Sequence, residues 1–324
     1  MSESILQAVA PAGSPAAAAN ATASPQRPRH PLLRSRAFGV APLLLTACSG
    51  GVLDPKGPIG DAERSILLNS FVIMLFVVVP VIVLTLAFAW WFRASNPRAK
   101  YMPDWVYSGR IEFIVWSIPA LVVMFLGGIA WVGSHDLDPW ARIESKKPPV
   151  EIQVVSLDWK WLFIYPDQGI ATVNELVVPA QTPLHFHLTS ATVMNSFFVP
   201  QLGSQIYTMA GMESQLNLLA HAPGVFDGLS AQFSGEGFPE MRFKLRALAD
   251  ADYAAWIDGR RGAGDRLDAA AYRTLLQPGV EKQPRYFGAV ESNLFQHILM
   301  QSHTLPAMKA QAGNGETAAS AHMH

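Results

Sequence analysis

The chain has 324 residues and a formal charge of −1, with 24 Lys and Arg against 25 Asp and Glu. That balance excludes electrostatic binding of nucleic acid, and a single cysteine excludes a disulfide framework within the chain. Half of the residues are hydrophobic and 15% are charged; soluble domains carry roughly 25% charge, so part of the chain is built for an apolar medium.

From the N-terminus, residues 1–30 are rich in Ala, Ser and Pro, a composition that resists folding. Arg27, Arg29, Arg34 and Arg36 form a basic n-region. The apolar stretch from Ala37 to Ala47 follows, too short to span a bilayer. Small residues then lead into Cys48, within Leu45-Thr46-Ala47-Cys48-Ser49-Gly50. This resembles a bacterial lipoprotein signal. The resemblance implies removal of residues 1–47, acylation of Cys48 as the mature N-terminus, and a lipidated linker over 48–65. The alternative is an ordinary free cysteine in a loop.

Two uncharged apolar runs come next, 26 residues from Ile66 to Trp91 and 20 residues from Phe113 to Val132. Each is long enough to cross about 30 Å of hydrocarbon as a helix. Transmembrane helices are therefore expected over 66–92 and 111–133, joined by a loop at 93–110. Trp90, Trp91 and Trp131 stand at the ends of the runs, where aromatic residues meet the bilayer interface. The loop carries Arg93, Arg98, Lys100 and Arg110 against Asp104, which predicts a cytoplasmic loop and an exported region after Ser134. Glu112 sits just inside the second run, where a carboxylate is costly unless it faces protein or water.

Residues 150–248 read as all-β. Short β-rich segments occur at Val150 to Leu157, Thr172 to Val178, Leu184 to Leu188, Ser196 to Val199, Gln215 to Leu219 and Met241 to Arg246. Turn signals such as Pro166-Asp167-Gln168-Gly169 separate them. About seven strands at this spacing predict a sandwich or barrel. From 249 to 301 the pattern predicts short helices at Asp250 to Trp256, Ala269 to Leu276 and Val290 to Gln301. Residues 302–324 read as a disordered tail.

Three motifs carry a family resemblance. They are Asp158-Trp159-Lys160-Trp161-Leu162-Phe163-Ile164-Tyr165, Val193-Met194-Asn195-Ser196-Phe197-Phe198-Val199-Pro200, and Ser230-Ala231-Gln232-Phe233-Ser234-Gly235-Glu236-Gly237-Phe238-Pro239-Glu240-Met241. Together with the anchor and the two apolar runs, they resemble subunit II of the haem-copper respiratory oxidases. The resemblance implies a cupredoxin-like β-sandwich behind a transmembrane hairpin, with a small helical extension. In the cytochrome c oxidases of that family this domain holds a dinuclear copper centre, built from two bridging thiolates, two histidines, a methionine and a backbone carbonyl. At those positions this chain has Ser230 and Ser234 for the thiolates, Asn195 and Phe238 for the histidines, and Gln232 at the carbonyl. Of the side-chain ligands only Met241 remains. Shared-valence copper needs soft thiolates, so no copper is expected in this domain, and no metal in the chain.

The pattern matches the quinol-oxidising branch, the cytochrome bo-type ubiquinol oxidases. By that resemblance the complex oxidises ubiquinol, reduces oxygen and pumps protons, with haems and one copper in subunit I and with subunits III and IV as further partners. This chain is then a membrane clamp and an exported cap, without catalytic residues of its own. Asp158, Trp159 and Trp161 are expected at the interface with subunit I. Glu112 is either at the mouth of a proton-uptake channel or an interfacial charge favoured by the helix dipole. His185 and His187 share a strand face, but no third metal ligand is apparent, and a plain strand face is the competing reading. His297, His303, His322 and His324 are read as solvated tail residues, with weak metal scavenging as the competing reading. The functional rivals are a cytochrome c oxidase subunit with a degenerate copper site and a stand-alone membrane-anchored binding module.

Overall fold

The structure, a computed structural model, describes residues 51–100 and 102–301; the signal segment, Cys48, His303, His322 and His324 lie outside these residues. Two long helices come first, α1 (Pro58–Trp91) and α2 (Gly109–Asp136). Both run through an internal proline, Pro80 or Pro119. Their membrane-length surfaces are apolar and open, with Phe76 78% exposed. Apolar surface on that scale is stable in lipid and not in water.

Helix α1 begins at Pro58 instead of Ile66. Proline at the first helical position presets the backbone. The added turns carry Asp61, Glu63 and Arg64, so hydropathy alone misses them. These turns dock onto the β-domain. Lys56 N donates to Gln201 O at 2.6 Å, Gly60 N to Leu202 O at 3.1 Å, and Ser204 Oγ to Glu63 Oε1. At the far end of the hairpin, Asn217 donates to Pro139 O through both its backbone N and its Nδ2. Both spans are thus tied to the sandwich at their exits.

The β-domain comprises β1 (Val150–Leu157), β2 (Lys160–Tyr165), β3 (Ile170–Val173), β4 (Glu175–Pro179), β5 (Leu184–Ser190), β6 (Asn195–Phe198), β7 (Ile206–Thr208), β8 (Ser214–Leu218), β9 (Gly224–Ser230) and β10 (Arg242–Leu248). Next come α3 (Asp250–Arg260), β11 (Asp265–Leu267), α4 (Ala269–Leu275), β12 (Arg285–Val290) and a last helix, α5, over residues 294–301. One sheet has the order β11-β12-β3-β2-β1-β5-β8, and the other β4-β10-β9-β6-β7. Their inner faces meet in a core of Ile152, Trp161, Phe163, Phe186, Phe197 and Phe243 with their neighbours.

Two expectations are corrected, and one strand that the β-rich segments did not include is added. The segment Thr172 to Val178 is two strands in two sheets, broken at Asn174 with φ 59°. Asn tolerates this left-handed region better than other side-chain-bearing residues. The run Lys160–Tyr165 is a strand buried on both faces: Trp161, Phe163 and Tyr165 enter the inter-sheet core, while Leu162 and Ile164 enter a second core. Residues 249–301 are not purely helical. β11 and β12 extend the larger sheet, and α4 and α5 cover its outer face, burying Leu275, Phe295 and Ile298 against Val155, Leu157 and Leu162.

Candidate functional site

Three loops meet at one end of the sandwich: the two-residue turn Asp158-Trp159 between β1 and β2, the start of β6, and the long loop between β9 and β10. Together they bring Asn195, Ser230, Gln232, Ser234, Phe238 and Met241 into one neighbourhood. The Ser230 hydroxyl lies 3.2 Å from both Asn195 Oδ1 and Gln232 O. Asn195 Nδ2 donates to Val193 O at 3.1 Å. Ser234 Oγ lies 3.9 Å from Met241 Sδ, and Ser230 N donates to Met241 O at 3.1 Å. Phe238 packs edge-on against Phe233 at 5.6 Å. Asn195, Ser230 and Met241 are buried.

Trp159 closes the loop. Its φ of 66° lets the tight turn direct the indole across, and its Nε1 donates to Ser234 O at 3.0 Å. The indole lies against Gly235 and Gly237. A Cβ added at Gly237 would meet Trp159 Cδ2 at 2.4 Å, so glycine there is a packing requirement.

The dinuclear copper centre implied by the fold family does not fit these residues. Two hydroxyls, an amide and a phenyl ring replace the thiolates and imidazoles, and a phenyl ring has no lone pair to give. Hydroxyls are hard ligands that retain their protons near neutrality, and both here are directed at acceptors within the cluster. One thioether remains as the only soft side-chain donor among them. The arrangement can brace a loop; it cannot share an electron between two coppers.

Of the expected interface residues, Trp161 is corrected. It is 0% exposed, wedged edge-on against Phe197 at 5.5 Å and Phe243 at 5.8 Å, so it has no surface to offer a partner. Alternation along β2 turns it inward. Asp158 makes an internal bond, accepting from Thr192 Oγ1 at 2.6 Å. Behind this turn, Lys160 donates to Gln277 O at 2.8 Å; burial lowers its pKa, opposed by the charges of Glu281 and Asp158.

Glu112 occupies the first turn of α2. It lines an open groove of about 500 Å³ with Tyr107, Phe113, Trp116 and Ser117. His297 is exposed on α5.

The strand pair His185 and His187 gains the third ligand that sequence spacing could not supply. β1 and β5 run parallel in register, placing Glu151 beside His185. Glu151 Oε2 lies 3.0 Å from both His185 Nδ1 and His187 Nε2, and Glu213 Oε1 lies 2.6 Å from His187 Nδ1. Glu151 and Glu213 were missed because neither neighbours the histidines in sequence.

A two-span anchor carrying a cupredoxin-like sandwich defines the class, a membrane-anchored subunit II of the haem-copper oxidase type. Residues 167–247 match the family model for the Cytochrome C oxidase subunit II, periplasmic domain, and residues 261–302 match the COX Aromatic Rich Motif. The chain is 48% identical to the Cytochrome bo(3) ubiquinol oxidase subunit 2 of Pseudomonas aeruginosa, over 90% of this chain and 88% of the relative. It is 45% identical to the Ubiquinol oxidase subunit 2 of Acetobacter aceti, over 84% and 89%. It is 36% identical to the Quinol oxidase subunit 2 of Bacillus cereus, over 74% and 84%. The chain therefore belongs to the ubiquinol oxidase subunit 2 family.

Proposed function

We propose that this chain is subunit II of a terminal oxidase that takes electrons from ubiquinol, reduces oxygen to water and moves protons across the membrane. The carrying observation is the donor set at the loop cluster. Asn195, Ser230, Ser234 and Phe238 replace four copper ligands while the surrounding frame stays intact and hydrogen-bonded. Without a relay in this domain, electrons from a soluble carrier have no route through it. Electrons then enter subunit I directly from quinol, where the haems and one copper supply the redox chemistry. The same donor set disfavours a cytochrome c oxidase role.

This chain's own residues hold and cover. α1 and α2 clamp subunit I within the membrane, with subunits III and IV and lipid as further neighbours. The sandwich caps subunit I on the exported side, with Asp158 and Trp159 bracing that face. Acylation at Cys48 adds a second, auxiliary anchor. Glu112, in its open groove at the cytoplasmic end of α2, offers a proton acceptor at the mouth of an uptake path. The test is a paired assay on the purified complex. Oxygen consumption with ubiquinol but not with reduced cytochrome c is expected, and robust oxidation of cytochrome c would overturn the reading. Extraction of this chain without a haem-bearing partner would also count against it.

A further inference from the structure

We propose that Glu151, His185 and His187 form a binding site for a zinc-class divalent cation on the outer face of the larger sheet, with Glu213 as a positioning residue. This inference is independent of the quinol reading and of the copper-site positions. The three ligand atoms, one from each residue, lie within 4.8 Å of one another. They stand on the face opposite Leu184, Phe186 and Leu188, which are buried in the inter-sheet core. Backbone pairing presets the arrangement: Glu151 is opposite His185, and Gln153 is opposite His187 in the parallel ladder. The site therefore rests on two adjacent strands and not on flexible loops.

The hydrogen-bond pattern is one that a positive charge satisfies, either a second ring proton on His187 or a bound cation. His187 has a carboxylate oxygen against each ring nitrogen, Glu213 at Nδ1 and Glu151 at Nε2. A neutral imidazole has one N–H. If it donates to Glu213 at 2.6 Å, then Nε2 turns a lone pair toward Glu151 Oε2 at 3.0 Å. Two lone pairs facing each other repel; a second ring proton removes the conflict, and so does a cation between them, and Zn²⁺ binding distinguishes the two. The same cation takes His185 Nδ1, which also lies 3.0 Å from Glu151 Oε2. In a tetrahedral site with metal–ligand distances of about 2.0–2.1 Å, ligand atoms sit about 3.4 Å apart. The two 3.0 Å spacings from Glu151 Oε2 require an opening of only a few tenths of an ångström, and all three ligand atoms lie within 4.8 Å of one another. Glu213 completes the carboxylate–histidine–metal arrangement that fixes a ligand tautomer and raises its basicity.

The donor set selects the metal class. Two imidazoles and one carboxylate suit zinc, whereas magnesium and calcium require oxygen ligands throughout. Two carboxylates beside two imidazoles also supply the negative charge that a dication balances. The bound ion would fasten β1 to β5, with water taking the fourth position.

The test uses the full-length chain in detergent, freed of metal with a chelator and dialysed against Zn²⁺, with Co²⁺ absorption as a report on coordination. The tail histidines are common to every variant, so they cancel in the comparison. The expected result is one Zn²⁺ per chain beyond that bound by the His185→Gln/His187→Gln double variant. The conservative Glu213→Gln variant should bind about 10–100-fold more weakly. Mg²⁺ should not compete. Equal Zn²⁺ binding by the wild-type chain and the double variant overturns the site, as does displacement of Zn²⁺ by equimolar Mg²⁺. Because a loss on mutation could follow misfolding, Glu151→Gln and circular dichroism accompany the series. Native dichroism with lost binding supports the site.

Discussion

Asn174→Ala tests how the chain crosses from one sheet to the other. Asn174 Oδ1 accepts from Trp161 N at 2.8 Å, and its Nδ2 donates to Glu281 O at 2.9 Å. Its φ of 59° places it between β3 and β4. Alanine leaves the buried Trp161 N–H without its partner, costing about 1–3 kcal/mol. It also places a plain Cβ in the left-handed region, adding roughly 1 kcal/mol. The expected loss is about 2–4 kcal/mol in total. Asn174→Gly should lose less than alanine because glycine removes the conformational term. Asn174→Asp keeps the acceptor for Trp161 N but sets a carboxylate oxygen against Glu281 O, so it should also be destabilised. Urea unfolding of the detergent-solubilised full chain, followed by tryptophan fluorescence at constant m-value, reads these differences as shifts in midpoint. If alanine proves no more damaging than glycine, the left-handed backbone at Asn174 carries no cost and the reasoning for this corner fails.

Four further outcomes are expected. Restoring the ligands through Asn195→His, Ser230→Cys, Ser234→Cys and Phe238→His beside Met241 should produce a copper-dependent visible absorption that the parent lacks; failure to bind copper would mean that the loop frame, and not the donor set, excludes the metal. Gly237→Ala drives a Cβ into the Trp159 ring, and should cost about 1–3 kcal/mol of stability and alter tryptophan emission. Burial pushes Tyr253 up to about 12, and burial with the Glu175 contact pushes Tyr286 up to about 12; burial also raises Tyr165 and Tyr272. With folded pKa values above the unfolded value near 10, these groups favour the native state below pH 10, and that contribution falls as pH rises from 10 towards 12 and beyond. Phenolate absorbance should therefore show these four tyrosines titrating late and together with unfolding; early, independent titration would contradict their burial. Finally, Glu112→Gln should slow quinol-driven proton uptake while leaving complex assembly and haem content intact, and an unchanged uptake rate would restrict Glu112 to an interfacial charge.

Some features were local enough to read directly. Uncharged runs of membrane length specify the two spans because lipid tolerates only backbones that satisfy their own hydrogen bonds. Alternation along Leu184–Ser190 specifies which side of β5 faces the core. The exchange of thiol and imidazole positions for Ser230, Ser234, Asn195 and Phe238 is chemical, and needs no coordinates to be read against the family motif. Hydropathy could not find the polar first turns of α1, because their partners lie on the sandwich around Gln201 to Ser204. Composition could not find β11 and β12, which are strands because an open sheet edge beside β3 accepts them.

By itself, the sequence determined a membrane-anchored β-domain stripped of copper ligands, since residue type alone decides whether a donor is soft and whether a helix can lie in lipid. Only the tertiary structure decided that Trp161 is a core residue and not an interface, that Trp159 latches the Ser234 loop, and that Glu151 and Glu213 converge on His185 and His187. The reason is register: a parallel pairing of β1 with β5 joins residues 34 positions apart. Such pairing depends on how two sheets bury their shared face, which no short stretch of the chain encodes.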